Sequence, residues 1–163
     1  MGKKIDIATL SPIVGTLYPP PFDEPCLSRE RTKLGDAANL TQFGVNLLRL
    51  PPGSWSSQRH WHTEADEFIY VLSGQVTLLT DEGPEVLKVG DAAGFKAGDT
   101  NGHCLQNRSS AEALVLEVGT RIDSDAGHYS DIDLFAPAGG KPTPYTQRDG
   151  TPYTNPQRRA KKV

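Results

Sequence analysis

Between Thr41 and Val118 turn-forming residues recur so often that no long helix fits, and whatever folds there must be built from short elements. Pro51-Pro52-Gly53, Ser73-Gly74, Asp81-Glu82-Gly83-Pro84, Gly90-Asp91 and the loop from Ala97 to Gly102 each accept positive φ or start a turn. The runs they leave are Thr41 to Leu50, Ser57 to Thr63, Glu67 to Leu72, Gln75 to Thr80, Glu85 to Val89, Ala92 to Phe95, His103 to Asn107 and Ala113 to Val118. Short strands at this spacing predict an all-β barrel or sandwich. Composition agrees: 16 Gly and 13 Pro stand against 36% hydrophobic residues, which favours many turns over long helices. A length of 163 residues suits one domain, and no internal repeat is evident, so a single barrel is expected rather than a duplicated pair.

The two ends read differently from the middle. Residues 1–40 form an N-terminal extension in which the prolines of Tyr18 to Phe22 force an extended or turning path and Arg29 to Leu34 suggests an edge strand. The barrel core is expected over 41–120, and 121–163 as an arm-like C-terminal segment. Beyond about Phe135 this segment has few aliphatics, several prolines and a basic end, so a surface arm or partial disorder is expected there.

A net charge of -3 and a pI near 5.8 provide no field that would gather a polyanion, and the basic residues form no stripe with aromatics, so nucleic-acid binding is not expected. Cys26 and Cys104 are too few for a secreted disulfide framework and too far apart for a metal knuckle, which favours the cytoplasm. No apolar run is long enough to target or span a membrane.

The chemistry concentrates in Gly53 to Gly74. His60 and His62 are one residue apart, and strand alternation sends both imidazoles to the same face. Glu67 opens the next strand after a short loop and can stand beside them, while His103 arrives from a distant strand behind a Gly-rich loop. Three imidazoles and a carboxylate make a nitrogen-rich shell suited to one divalent transition metal, Fe, Mn, Ni, Co, Cu or Zn, rather than to Mg or Ca. Gln58 shares the parity of the two histidines, and Arg59 and Lys96 flank the motifs, so these three are candidate contacts for an anionic substrate. Cys104 and Trp61 should face away from the metal, and His128 should be a surface or packing residue. No general base can be named.

The pattern His60-x-His62, Glu67 and Gly74, followed by Gly90-Asp91, Gly98, His103 and Asn107, resembles the two motifs of the cupin superfamily over roughly Thr41 to Val118. The loop from Gly98 to His103 is longer than the shortest form of the pattern. This resemblance implies a double-stranded β-helix, or jelly roll, with His60, His62, Glu67 and His103 as metal ligands. It also implies a mannose-6-phosphate isomerase-like activity in which a metal ion acts as Lewis acid on a sugar phosphate. Two other functions use the same shell: a non-catalytic module that binds or senses a small ligand such as a sugar, and an Fe(II)-dependent dioxygenase. A homodimer is expected, because an exposed strand edge in a small barrel invites pairing.

Overall fold

The structure, a computed structural model, describes residues 2, 4–139, 144–153 and 161–163. Its strands are β1 (Ile13–Val14), β2 (Glu30–Lys33), β3 (Phe43–Leu50), β4 (His60–His62), β5 (Glu67–Ser73), β6 (Gln75–Thr80), β7 (Gly83–Lys88), β8 (Ala92–Phe95), β9 (Cys104–Gln106), β10 (Ala113–Thr120), β11 (Gly127–Tyr129), β12 (Phe135–Ala136) and β13 (Lys161–Lys162). The one α-helix among the described residues is a single turn, α1 (Leu34–Ala37), and no helix is long and apolar enough to cross a membrane. The protein is all-β, as the turn spacing predicts.

A seven-stranded sheet runs in the order β13-β1-β2-β3-β10-β5-β8, opposite two three-stranded sheets, β12-β11-β4 and β7-β6-β9. The Arg29 to Leu34 run, expected as an edge strand, supplies β2, which is not at the edge: Ile13 and Val14 pair outside it, and β13 pairs outside them. The reason is nonlocal, since β1 is only two residues long and carries no strand signal of its own.

Leu48, Leu50, Ile69, Val71, Ala113 and Val115 from the large sheet meet Val76, Leu78, Leu87 and Leu105 from the β7-β6-β9 sheet in the main core. Burying each of these side chains is worth about 1.5 to 3 kcal/mol, which makes this cluster the chief source of stability. Along each inward-facing row the chemistry then changes in step. On β3 the row runs Leu50, Leu48, Asn46, Gly44; on β10 it runs Ala113, Val115, Glu117, Gly119; and the register pairs these residues one to one. On β5, Val71 and Ile69 give way to Glu67. One end of the barrel is therefore packed with hydrocarbon, and the other is lined with polar groups around an open space.

A second cluster joins the ends of the chain. Tyr18, Cys26, Tyr129 and Leu134 are buried together, with Phe22, Trp55, Tyr145 and Tyr153 packed around them. Residues 144–153 thus lie against the N-terminal segment, whereas the expectation of an arm at 140–143 and 154–160 falls outside the described residues. Trp61 points away from the polar end and stacks on His128, with ring centroids 4.3 Å apart.

Candidate metal centre and cavity

β4 is a three-residue strand, His-Trp-His, and its alternation turns both histidines toward the polar end. The backbones of His60 and His103 pair in a narrow bridge, His60 N to His103 O at 3.1 Å and His103 N to His60 O at 2.9 Å. The lengthened loop before His103 is held at several points. Gly98 N donates to His62 O at 2.8 Å, and Asn101 Oδ1 accepts from Asp81 N at 2.8 Å while its Nδ2 donates to Glu82 at 2.7 Å. At the far end Asn107 closes the strand, donating to the carbonyls of Leu50 and Ala111 at 2.7 and 2.8 Å.

All three expected histidines approach Glu67, but only His60 and His62 form a metal-sized group with it. Nε2 of His60, His62 and His103 lie 3.7, 3.6 and 2.9 Å from one oxygen of Glu67, Oε2. The donor atoms of His60, His62 and Glu67 all lie close enough to one another to share a metal ion. His60 Nδ1 faces the Gln58 carbonyl at 2.9 Å, and His62 Nδ1 faces Asp125 Oδ2 at 2.6 Å. Each Nδ1 therefore carries a hydrogen, and each Nε2 faces Glu67 as the nitrogen through which the ring could hold a metal. Phe95 lies flat against His103 with centroids 3.5 Å apart, and Tyr129 stacks on His60 at 5.8 Å. These rings keep the imidazoles from turning.

The electrostatics match a cation site. Burial, reinforced by the neighbouring His103 and His62 and only partly offset by Glu67, lowers the pKa of His60 to about 3, so its ring is neutral at physiological pH and free to donate a lone pair. For Glu67 burial is the largest influence and opposes ionisation, but the close approach of His103 and the other imidazoles outweighs it and holds the carboxyl well below the usual carboxylate range. Glu67 Oε2 is buried, and despite the nearby His103 nitrogen no N–H points squarely at it. A buried carboxylate oxygen without a well-directed donor is costly unless a cation satisfies it, and imidazole nitrogens grouped around a carboxylate are a donor set that a borderline transition metal prefers. The residues present fit such an ion.

Asp125 had no signal in the sequence. It lies in the loop before β11 and reaches His62 only because β11 pairs with β4, Gly127 opposite His62. Its Oδ1 accepts from the backbone N–H of Glu64 and Ala65 at 2.9 and 3.1 Å, so the carboxylate is fixed before it meets the ring. Burial opposes its ionisation, but those amides and His62 outweigh it and lower its pKa. Asp125→Asn keeps an oxygen for the two amides but loses the anion that orients His62. Metal affinity should fall by about 10- to 100-fold, read by chelator competition, with melting of the metal-free protein unchanged.

The three expected substrate contacts have separate fates. Gln58 Nε2 donates to the Phe22 carbonyl at 2.7 Å, which ties the N-terminal segment to β4. Arg59 is held by Asp131, at 2.9 and 2.7 Å, and by Asp81. Lys96 lines a cavity of about 170 Å³ that touches His62, Glu67 and His103 from one side. Cys104 is buried, and burial pushes its thiol up to about 12, so it is an unreactive packing group.

On the other side of the histidines lies a larger cavity of about 400 Å³, lined by His60, Glu67 and His103 together with Arg29, Arg31, Lys33, Asn46, Glu117 and Arg121. Within it Arg31 grips Glu117 with two hydrogen bonds, 2.7 and 2.8 Å.

The Cupin domain family profile matches residues 46–119. A solved sugar phosphate isomerase of the cupin superfamily from Silicibacter pomeroyi is 41% identical over 95% of this chain and 99% of its own, with a TM-score of 0.89. The chain belongs to the cupin superfamily. A provisionally assigned sugar phosphate isomerase from Acidithiobacillus ferrooxidans is 26% identical over 78% of this cupin and 81% of its own chain, with a TM-score of 0.69. The polyketide cyclase RemF from Streptomyces resistomycificus shares the fold at 20% identity, covering 74% of this chain and 80% of its own, with a TM-score of 0.60. Among curated proteins none matches.

Proposed function

We propose that this cupin holds one divalent transition metal through His60, His62, Glu67 and His103 and acts as a sugar-phosphate isomerase-type enzyme. The observation that carries this reading is the cavity of about 400 Å³, which joins the imidazole cluster to a cationic wall in one space. Its size suits a small ligand. The name of the Silicibacter pomeroyi relative supports the substrate class. When bound, the ion polarises a carbonyl oxygen and eases loss of a proton from the neighbouring carbon. The chain's own residues fix the geometry: Asp125 and the Gln58 carbonyl orient His62 and His60, and Phe95 shields His103 from water.

One observation favours the non-catalytic alternative. Glu117, the second carboxylate in the cavity, has both oxygens engaged by Arg31 and lies 3.5 Å from Asn46 Nδ2, so it is poorly placed to carry a proton. A module that only binds a sugar or other small metabolite needs no mobile base. An Fe(II)-dependent dioxygenase is the other alternative, and it requires iron in the purified protein. The reading includes a cytoplasmic setting, supported by two free, buried thiols. It also includes a homodimer, supported by the outer face of β5, where Phe68, Tyr70 and Leu72 are 44%, 38% and 40% exposed.

The test is incubation of metal-loaded protein with hexose 6-phosphates in deuterated water. Deuterium should enter the substrate at the carbons next to the carbonyl. Binding without exchange would exclude the isomerase and leave the sensor.

A further inference from the structure

The cavity has a second end. β2 turns Arg31 and Lys33 inward, opposite Leu48 and Asn46 of β3. Arg31 is neutralised by Glu117 and the buried Arg29 is tied to the Gly15 and Ser56 carbonyls, which leaves Lys33 and, from the segment after β10, Arg121. Both also line an adjoining depression that contains Asp36, Thr120 and Asp125 and reaches His60 and His62, so they stand between the two hollows that touch the histidines, and their side chains, 49% and 34% exposed, meet solvent there.

Two glycines clear the floor between these two cations and the metal ligands. Gly44 of β3 and Gly119 of β10 are register partners. A Cβ on Gly119 would lie 3.9 Å from Glu67 Oε1, and a Cβ on Gly44 would lie 3.5 Å from Arg121 Nε. Paired Cβ positions are about 5 Å apart, so the Arg121 guanidinium is no more than about 12 Å from the Glu67 carboxylate, with no side chain rising from either glycine between them.

The two cations already share an anion. Asp36 of α1 accepts from Arg121 through Oδ1 and places Oδ2 3.7 Å from Lys33 Nζ. Arg121 is fixed further by its bond to the Leu40 carbonyl at 2.8 Å. Within this trio one carboxylate faces two cations; of the other acids in the depression, Asp125 is turned to His62 and the Glu64 and Ala65 amides, and Asp123 forms no ion pair with Lys33 or Arg121. All three side chains of the trio are between a third and a half exposed, so the group is open to ligand.

We propose that Lys33 and Arg121 form an anion subsite at the cavity mouth that takes the terminal phosphate or carboxylate of a small polyol whose other end reaches His60, Glu67 and His103. Asp36 occupies the place of that anion in the free protein and is displaced when ligand enters. The proposal deepens the isomerase reading and rests on it for the metal end only. Guanidinium and ammonium groups bind such oxygens through charge-assisted hydrogen bonds, and a resident carboxylate keeps both side chains in place at the cost of competing with ligand.

Calorimetry on full-length, metal-loaded protein tests this with sorbitol 6-phosphate, gluconate and sorbitol, none of which requires turnover. Lys33→Gln and Arg121→Gln should each weaken sorbitol 6-phosphate at least about tenfold and leave sorbitol unchanged. Asp36→Asn should tighten it about threefold or more, an effect that mere loss of folding cannot produce. Arg121→Lys should recover part of the affinity. Gluconate binding better than sorbitol 6-phosphate would identify the carboxylate as the anion. Wild-type affinity in both Gln variants, equal loss of sorbitol, or weaker binding by Asp36→Asn would each overturn the proposal. Absent deuterium exchange together with the expected binding changes would sink the isomerase and leave the subsite standing.

Discussion

His62→Ala should leave the purified protein with less than about a tenth of stoichiometric metal by elemental analysis, the largest functional effect expected of any single change here. The ring is flanked on both sides, by Asp125 at Nδ1 and by the approach of Glu67 to Nε2, so its removal deletes a donor and leaves two part-buried carboxylates facing a void. Water can fill that space but cannot supply an oriented nitrogen. His62 is about a quarter exposed, so the variant should fold. The loss should also appear in stability. A ligand at 100 times its Kd stabilises a protein by about 2.7 kcal/mol, so added metal should raise the melting temperature of the wild type and not that of the variant. Full metal occupancy in His62→Ala would refute the site.

Gly74→Ala should cost about 3 kcal/mol or more and lower the melting temperature by roughly 10 °C. Gly74 is the single residue between β5 in the large sheet and β6 in the opposite one, and it turns the chain at φ +71°. A Cβ there would stand 2.5 Å from the Glu112 carbonyl oxygen and 3.0 Å from Ala113 Cα. Both atoms belong to backbone at the start of β10, which cannot move without disturbing the pairing of Ala113 with Leu50. Positive φ adds about 1 to 2 kcal/mol of strain for any residue with a Cβ. Gly53 makes the control, since it has φ +82° but nothing within 4 Å of its Cβ position, so Gly53→Ala should cost only the backbone strain. Equal melting of the two variants would show that close approach at Gly74 contributes nothing.

These two residues mark how far the sequence could be read. His60, His62 and Glu67 were legible because strand parity is local: residues two apart face the same way whatever the rest of the chain does. Gln75–Thr80 and Ala92–Phe95 have the bounds that the turn formers predict, because positive-φ glycines and prolines act within a few residues of themselves. Gly74 was visible as a turn, but its contact with β10 was not.

Asp125, Lys33 and Arg121 lay beyond such reading. Each is an ordinary charged residue outside the motif, and each reaches the histidine cluster or the cavity beside it through a pairing of distant segments: β11 with β4, β2 with β3, and the close of β10 across Gly44. Arg59, adjacent to His60 in the chain, spends its charge on Asp81 and Asp131 instead. The sequence by itself determined the all-β class, the facing of each strand's side chains and the nitrogen-rich donor set of the candidate metal site. Tertiary structure alone decided which inward rows met, because closing long loops and setting cross-sheet register depend on the whole core at once. Only that closure placed a carboxylate behind His62 and two cations at the mouth of the cavity.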